Sequence, residues 1–158
     1  MIPETLPDFD WSQTSFPDYP QKTAASLVVL GADGRLVMQK RDEYAPTAPN
    51  MIALFGGGHE PGETLSATAV REVMEELEIA VDPAELVTLG ATRRLYRRLT
   101  VPGLVAKFFW HDRDDRVRHT TEGEIIRFDS AAEVLARDDV TFGTRWALEE
   151  ALRRGLIR

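Results

Sequence analysis

Residues 57–79 read GGHEPGETLSATAVREVMEELEI. Within this stretch Leu65, Ala69, Val73 and Leu77 recur every four residues, and Val70 and Met74 widen the stripe. That spacing predicts a helix over Leu65 to Leu77 with one apolar face. A helix turns about 100° per residue, so Glu72, Glu75 and Glu76 fall within roughly 100° of arc. Glu76 borders the apolar stripe and is expected to be partly buried. Like charges one turn apart destabilise a bare helix by about 0.2–0.5 kcal/mol per pair, and burial raises the cost. A divalent cation turns that repulsion into coordination. Carboxylate oxygens without His or Cys suit magnesium, with manganese as the alternative, over zinc. Upstream, Gly56, Gly57 and Gly58 follow a short strand, Met51 to Phe55, and let the backbone approach a ligand or metal closely. Glu63 lies just before the helix, where its charge suits the helix N-terminus. Arg71 sits beside the carboxylates and pairs with one of them in the expected geometry.

Gly57, Glu63, Arg71, Glu72, Val73, Glu75, Glu76 and Ile79 match in register the pattern of the Nudix box, and the chain resembles the Nudix hydrolase family. The resemblance extends more loosely over about residues 22 to 155. It implies an α/β fold, an α/β/α sandwich around a mixed central sheet. It implies Gly57, Glu72, Glu75 and Glu76 as the set that holds magnesium, and hydrolysis of a diphosphate linkage in a nucleoside diphosphate derivative by water attack at phosphorus. It also implies a further glutamate from a downstream loop as metal ligand or general base. Glu124 and Glu122 are the candidates, with Glu124 favoured because it adjoins a strand; Glu72, beside Arg71, is the rival. One position departs: Glu78 stands where the box ends in Gly. That Gly follows the helix, where a left-handed backbone is common, and a non-Gly residue there costs about 1–2 kcal/mol.

Outward from the box, Ala24 to Leu30 reads as a buried strand and Leu36 to Gln39 as its hairpin partner, joined by the turn Gly31-Ala32-Asp33-Gly34. Residues 42–50 read as a loop. Leu86 to Leu95 and Leu104 to Trp110 read as strands separated by a Pro102-Gly103 turn, and Ile125 to Phe128 as a short strand. Ser130 is an N-cap candidate for a helix through Leu135. A last helix, about Thr144 to Arg154, stops at Gly155. Arg93, Arg94, Arg97 and Arg98 form the densest basic cluster. On a strand Arg93 and Arg97 share one face, from which they suit substrate phosphates; a solvated strand and turn is the competing reading. Arg41, ending a strand that lies near the active site in the family, and Gly58 are further substrate-binding candidates. His59, His111 and His119 show no metal-ligand spacing. Residues 1–21 are rich in Pro and aromatics and read as an N-terminal arm, with residues 22–158 as the catalytic domain.

The chain has 158 residues, 43% hydrophobic and 28% charged, with a net charge of −7 and no cysteine. Disulfides, thiolate zinc sites and cysteine nucleophiles are excluded. So is isopentenyl diphosphate isomerase, which shares the superfamily but uses a catalytic cysteine. The acidity argues against stable nucleic-acid binding and against RNA decapping. No apolar run reaches about 18 residues, and the N-terminus lacks the order of a signal peptide, so no membrane partner and a cytoplasmic location are expected. The partner expected is a nucleotide-like small molecule; a homodimer is a family-level expectation. The competing function is a Nudix-fold nucleotide-binding module with impaired catalysis, for which Glu78 is the sequence support.

Overall fold

The computed structural model describes residues 4–5, 23–95 and 102–158, with side chains over 23–92 and 104–158. The central strand is β2 (Ala24–Gly31). On one edge it pairs in parallel with β7 (Pro102–Asp112), which continues antiparallel to β6 (Val87–Leu95). On its other edge two strands share it. Its C-terminal end pairs with β3 (Leu36–Lys40), and its N-terminal end pairs with β5 (Phe55–Gly58), both antiparallel. β4 (Ile52–Ala53) and β8 (Glu124–Phe128) flank β3. β1 (Glu4–Thr5) adds to β6 opposite Thr92 and Arg93. Among the described residues the sheet is therefore mixed and eight-stranded.

Alternation along the strands builds two cores, because successive side chains point to opposite faces. Ala25, Leu27 and Val29 of β2 and Ala106, Phe108 and Trp110 of β7 meet Leu65, Ala69, Val73 and Leu77 of α1 (Leu65–Leu77). Val28, Met38 and Phe109 meet Val134 of α2 (Ala131–Leu135) and Ala147, Leu148 and Ala151 of α3 (Phe142–Arg153). This is the expected α/β/α sandwich. Helix α1 has the expected bounds, with Thr64 as N-cap accepting from the Ala67 N–H. Ser130 caps α2 by accepting from Glu133 N–H, also as expected.

Three expectations need correction. Pro102 and Gly103 are not a turn: both lie in β7, paired with Leu95 and Arg94. Strand pairing overrides their turn preference. Met51 to Phe55 is not one strand but is broken at Leu54 into β4 and β5. The three glycines do not follow the strand; they form most of β5 and pair with Ala24, Ala25 and Ser26. Beyond the paired Glu4–Thr5, the expected arm lies outside the described residues.

Candidate active site

Arg71 organises the site. Its Nε donates to Glu63 Oε2 at 2.8 Å and its Nη2 to Glu63 Oε1 at 3.0 Å, a two-pronged pair that fixes geometry as well as charge. Nη2 also donates to the Gly58 carbonyl at 2.7 Å, and Nη1 to Glu72 at 2.9 Å and Glu75 at 3.3 Å. One guanidinium thus ties the loop 58–63 to α1 and aims two box glutamates. The Arg71 hydrogen bond holds the Glu63 carboxyl below its usual range, and the pairing with Glu63 raises Arg71 in turn. Glu63 Oε1 also accepts from Glu60 N–H and Thr68 Oγ1. Its role is to hold Arg71.

Glu76 is buried, 2% exposed, and its Oε2 has no hydrogen-bond partner. Burial first, then the facing charges of Glu122 and Glu72, push its carboxyl up to about 8, while the Gly56 N–H and Arg41 oppose the shift. Burial likewise raises Glu72, with Glu75 and Glu122 adding to it and Arg71 opposing. Glu72, Glu76 and Glu122 therefore repel one another, and an unsatisfied buried oxygen among them is costly.

Two glycines make room for this arrangement. Gly56 has φ +150°, and a Cβ there would meet the Ala25 carbonyl oxygen at 2.2 Å. A Cβ on Gly57 would lie 2.5 Å from the Glu72 carboxyl carbon. The strand β5 thus presses the bare backbone of Gly57 against the Glu72 carboxyl group. The Gly56 amide beside Glu76 was not foreseen; its signal was the first glycine of the run.

Helix α1 ends at Glu78, which adopts φ 57° and ψ 38°. The left-handed turn is kept although the residue is not glycine. Glu78 uses its side chain: its Oε2 meets His119 Nε2 at 2.7 Å. Thr121 docks the same loop by donating from N–H to the Glu76 carbonyl at 2.8 Å and from Oγ1 to the Glu75 carbonyl at 3.0 Å. The Glu75 and Glu76 carbonyls of the last turn are thereby satisfied. The next residue is Glu122, whose carbonyl accepts from the Gln39 side chain at 3.1 Å.

A model of the NUDIX domain matches residues 20–154. The chain belongs to the Nudix family. A curated relative, an uncharacterised Nudix hydrolase of Clostridium acetobutylicum, is 43% identical over 56 residues, which is 35% of this chain and 27% of the relative. The chain thus spans about a quarter of that relative's length. Among solved structures, the MutT protein of Methanosarcina mazei superposes with TM-score 0.66 at 19% identity, covering 87% of this chain and 97% of the other. The dihydroneopterin triphosphate pyrophosphohydrolase of E. coli gives 0.60 at 20%, covering 86% and 98%. The Nudix domain of Shewanella oneidensis NrtR, complexed with ADP ribose, gives 0.62 at 15%, covering 85% and 88%. At these identities the likeness shows the fold.

Against that Nudix frame, the candidates separate. Glu72, Glu75, Glu76, Arg71, Gly57 and Gly58 come together at the junction of α1 and β5. Among the described residues, no three carboxylates or imidazoles converge closely enough to hold an ion as they stand. Arg71 instead holds Glu72 and Glu75 by hydrogen bonds. The Gly58 carbonyl is taken by Arg71. Arg41 donates to the Thr47 carbonyl and hydroxyl and stands near enough to Glu76 to stabilise its charge. Of the two loop glutamates, Glu122 is the one whose charge reaches Glu72 and Glu76. Glu124 is exposed on β8 opposite Lys40. Arg93 lies on β6, but its side chain, like Arg97, lies outside the described residues. No helix among the described residues is long and apolar enough to cross a membrane.

Proposed function

We propose that the protein is a divalent-cation-dependent pyrophosphohydrolase that cleaves the diphosphate linkage of a nucleoside diphosphate derivative. The observation that carries this reading is Glu76, a buried carboxylate with an orphaned oxygen facing two further carboxylates. Such a group calls for a cation. The donor set is all oxygen, which fits magnesium or manganese, and the Gly57 backbone lies against it with no side chain between. Glu72, Glu75, Glu76 and the Gly57 carbonyl would hold the ion. When bound, it neutralises the negative site, polarises a phosphoryl oxygen and eases deprotonation of water.

The chain's own residues supply the rest. Arg71 fixes the rotamers of Glu72 and Glu75. Arg41, held by Thr47 at the rim, offers a guanidinium to the substrate phosphates. Glu122 replaces Glu124 as the favoured general base, because its charge is felt at Glu72 and Glu76 and its backbone is tied to α1 through Thr121. The water oxygen bonds to one phosphorus while the bridging P–O bond breaks. The bond pair leaves on the other phosphate, and the water proton passes to the Glu122 carboxylate. That similar folds belong to an enzyme named for dihydroneopterin triphosphate and to a domain complexed with ADP ribose supports a nucleotide-like substrate.

The test is a screen of nucleoside triphosphates, sugar nucleotides and dinucleoside polyphosphates with magnesium, reading nucleoside monophosphate and phosphate release. Turnover of at least one class, abolished by chelator, is expected. Saturable binding without turnover of any class rejects the hydrolase reading in favour of a binding module.

A further inference from the structure

We infer that Thr121 and Gln39 are positioning residues: from two sides they fix the backbone of Glu122, so that its carboxylate is carried in a set place against the turn of α1 that bears Glu75 and Glu76. The inference rests on the hydrolase reading, with Glu122 as general base, and deepens it. A base must stand within about 2.6–3.2 Å of the water it deprotonates, or one further water away. Glu122 is exposed and lies in the loop before β8, where chain segments are more mobile than the elements they connect. Its place has to be set by the backbone that carries it.

Hydrogen bonds from both neighbouring elements set it. On the helix side, Thr121 N–H donates to the Glu76 carbonyl at 2.8 Å and Thr121 Oγ1 to the Glu75 carbonyl at 3.0 Å. Those two residues are candidate metal ligands, so loop and ligands share one frame. On the sheet side, Gln39 of β3 is 3% exposed and donates from Nε2 to the Glu122 carbonyl at 3.1 Å. A buried amide that loses its partner is costly, so this tie holds. Within the loop, Thr120 Oγ1 donates to the same carbonyl at 2.9 Å and accepts from Glu122 N–H at 3.3 Å. Both backbone groups of Glu122 are thereby taken. Gly123 has φ +63°, and a Cβ there would lie 2.3 Å from the Lys40 carbonyl oxygen. The chain passes so close to β3 that only glycine fits.

Closing the end of α1 accounts for Thr121 but not for Gln39. Gln39 lies on another element and bonds to the peptide of Glu122 itself. The two ties together hold one residue, and that residue carries the carboxylate. Gln39 also stands two positions before Arg41 in the chain, and Gln39, Arg41 and Glu122 line one cavity of about 350 Å³. The phosphate contact and the base are thus placed from the same strand. A misplacement of about 1 Å at a reacting group costs roughly 10²-fold in rate, which gives such ties their value.

Single-turnover rates at saturating magnesium are measured with ATP, UDP-glucose or diadenosine tetraphosphate, whichever the parent turns over fastest. Thr121→Val removes the hydroxyl at an exposed position and keeps the shape of the side chain. It should slow the chemical step by about 10-fold or more, with KM and the magnesium requirement unchanged. Thr121→Ser, which keeps the hydroxyl, should restore the rate. Gln39→Met removes the amide donor at similar length and should also slow the step. In a Glu122→Gln background both losses should shrink to about 2-fold or less, because a positioning residue has nothing left to position. A readout apart from activity is amide exchange in the metal-free protein. The amides of residues 121 and 122 should be protected in the parent and the Ser variant and exchange about 10-fold faster in Thr121→Val. Losses that persist in full in the Glu122→Gln background, failure of Ser to restore the rate, unchanged rates in both variants, or an unprotected loop in the parent each overturn the inference and leave the hydrolase reading standing. If Glu122→Gln itself leaves the chemical step unchanged, the inference falls while magnesium-dependent turnover upholds the hydrolase reading. Absence of turnover with all three compounds and throughout the wider screen rejects the hydrolase reading, and the inference with it.

Discussion

Glu76 is where packing and chemistry conflict. Its neighbours along the stripe, Val73 and Leu77, are core residues, so the helix carries its carboxylate into the protein. The ordinary value is 4.5 and the folded, metal-free value about 8. Between those values the folded protein holds a proton that the unfolded chain has lost. This stability is full below about 4.5 and is lost as pH rises through about 8. Glu76→Gln keeps the side chain neutral throughout. In chelator, its melting temperature should gain on the parent between pH 5 and pH 8, with at least about 1 kcal/mol, or ~2–4 °C, at the upper end. The same variant should lose at least about 100-fold in turnover with magnesium; near-normal turnover at saturating magnesium would remove Glu76 from the ligand set. The general base is separable by single-turnover kinetics of Glu122→Gln, Glu124→Gln and Glu72→Gln. Glu122→Gln should slow the chemical step by about 10²-fold or more and Glu124→Gln should change it little. If only Glu72→Gln slows it, the base is on the helix.

At the scale of elements, α1 and the loop before β8 act as one unit. The helix C-terminus needs partners for its carbonyls, and Thr121 provides two hydrogen bonds there. Glu78 opposes a favourable contact to an unfavourable backbone. The left-handed conformation costs about 1–2 kcal/mol for a non-glycine residue. The Glu78–His119 pair, with side chains 60% and 57% exposed, returns at most about 1 kcal/mol. Glu78→Gly should therefore leave stability unchanged or raised by about 1 kcal/mol in a urea melt, and should retain activity. A clear loss of stability would mean that the His119 contact outweighs the strain.

For the whole molecule, the sheet separates two cores and leaves the site where β5 takes over from β3 beside β2. If the box binds magnesium, the folded state gains by mass action: about 2.7 kcal/mol at a hundredfold excess over Kd. The melting temperature should rise with magnesium, and Glu76→Gln should abolish the rise; a parent protein indifferent to magnesium and manganese would refute a metal site in the free enzyme. The sequence by itself determined α1, its apolar stripe and the box, because helical period and a fixed motif are local properties. It also determined the β2–β3 hairpin, the cap at Ser130 and the helix stop at Gly155, where single residues decide the backbone. Tertiary structure alone decided that Pro102 and Gly103 extend a strand, since pairing with β6 outweighs their local preference. It alone made the glycine run a strand, by laying it against β2. It alone distinguished Glu122 from Glu124, because adjacency to a strand says nothing about which carboxylate faces a helix far away in the chain. Lys107, an ordinary lysine in sequence, became a buried donor beside Ser26 only because β2 and β7 pair in parallel and set residues 26 and 107 opposite each other.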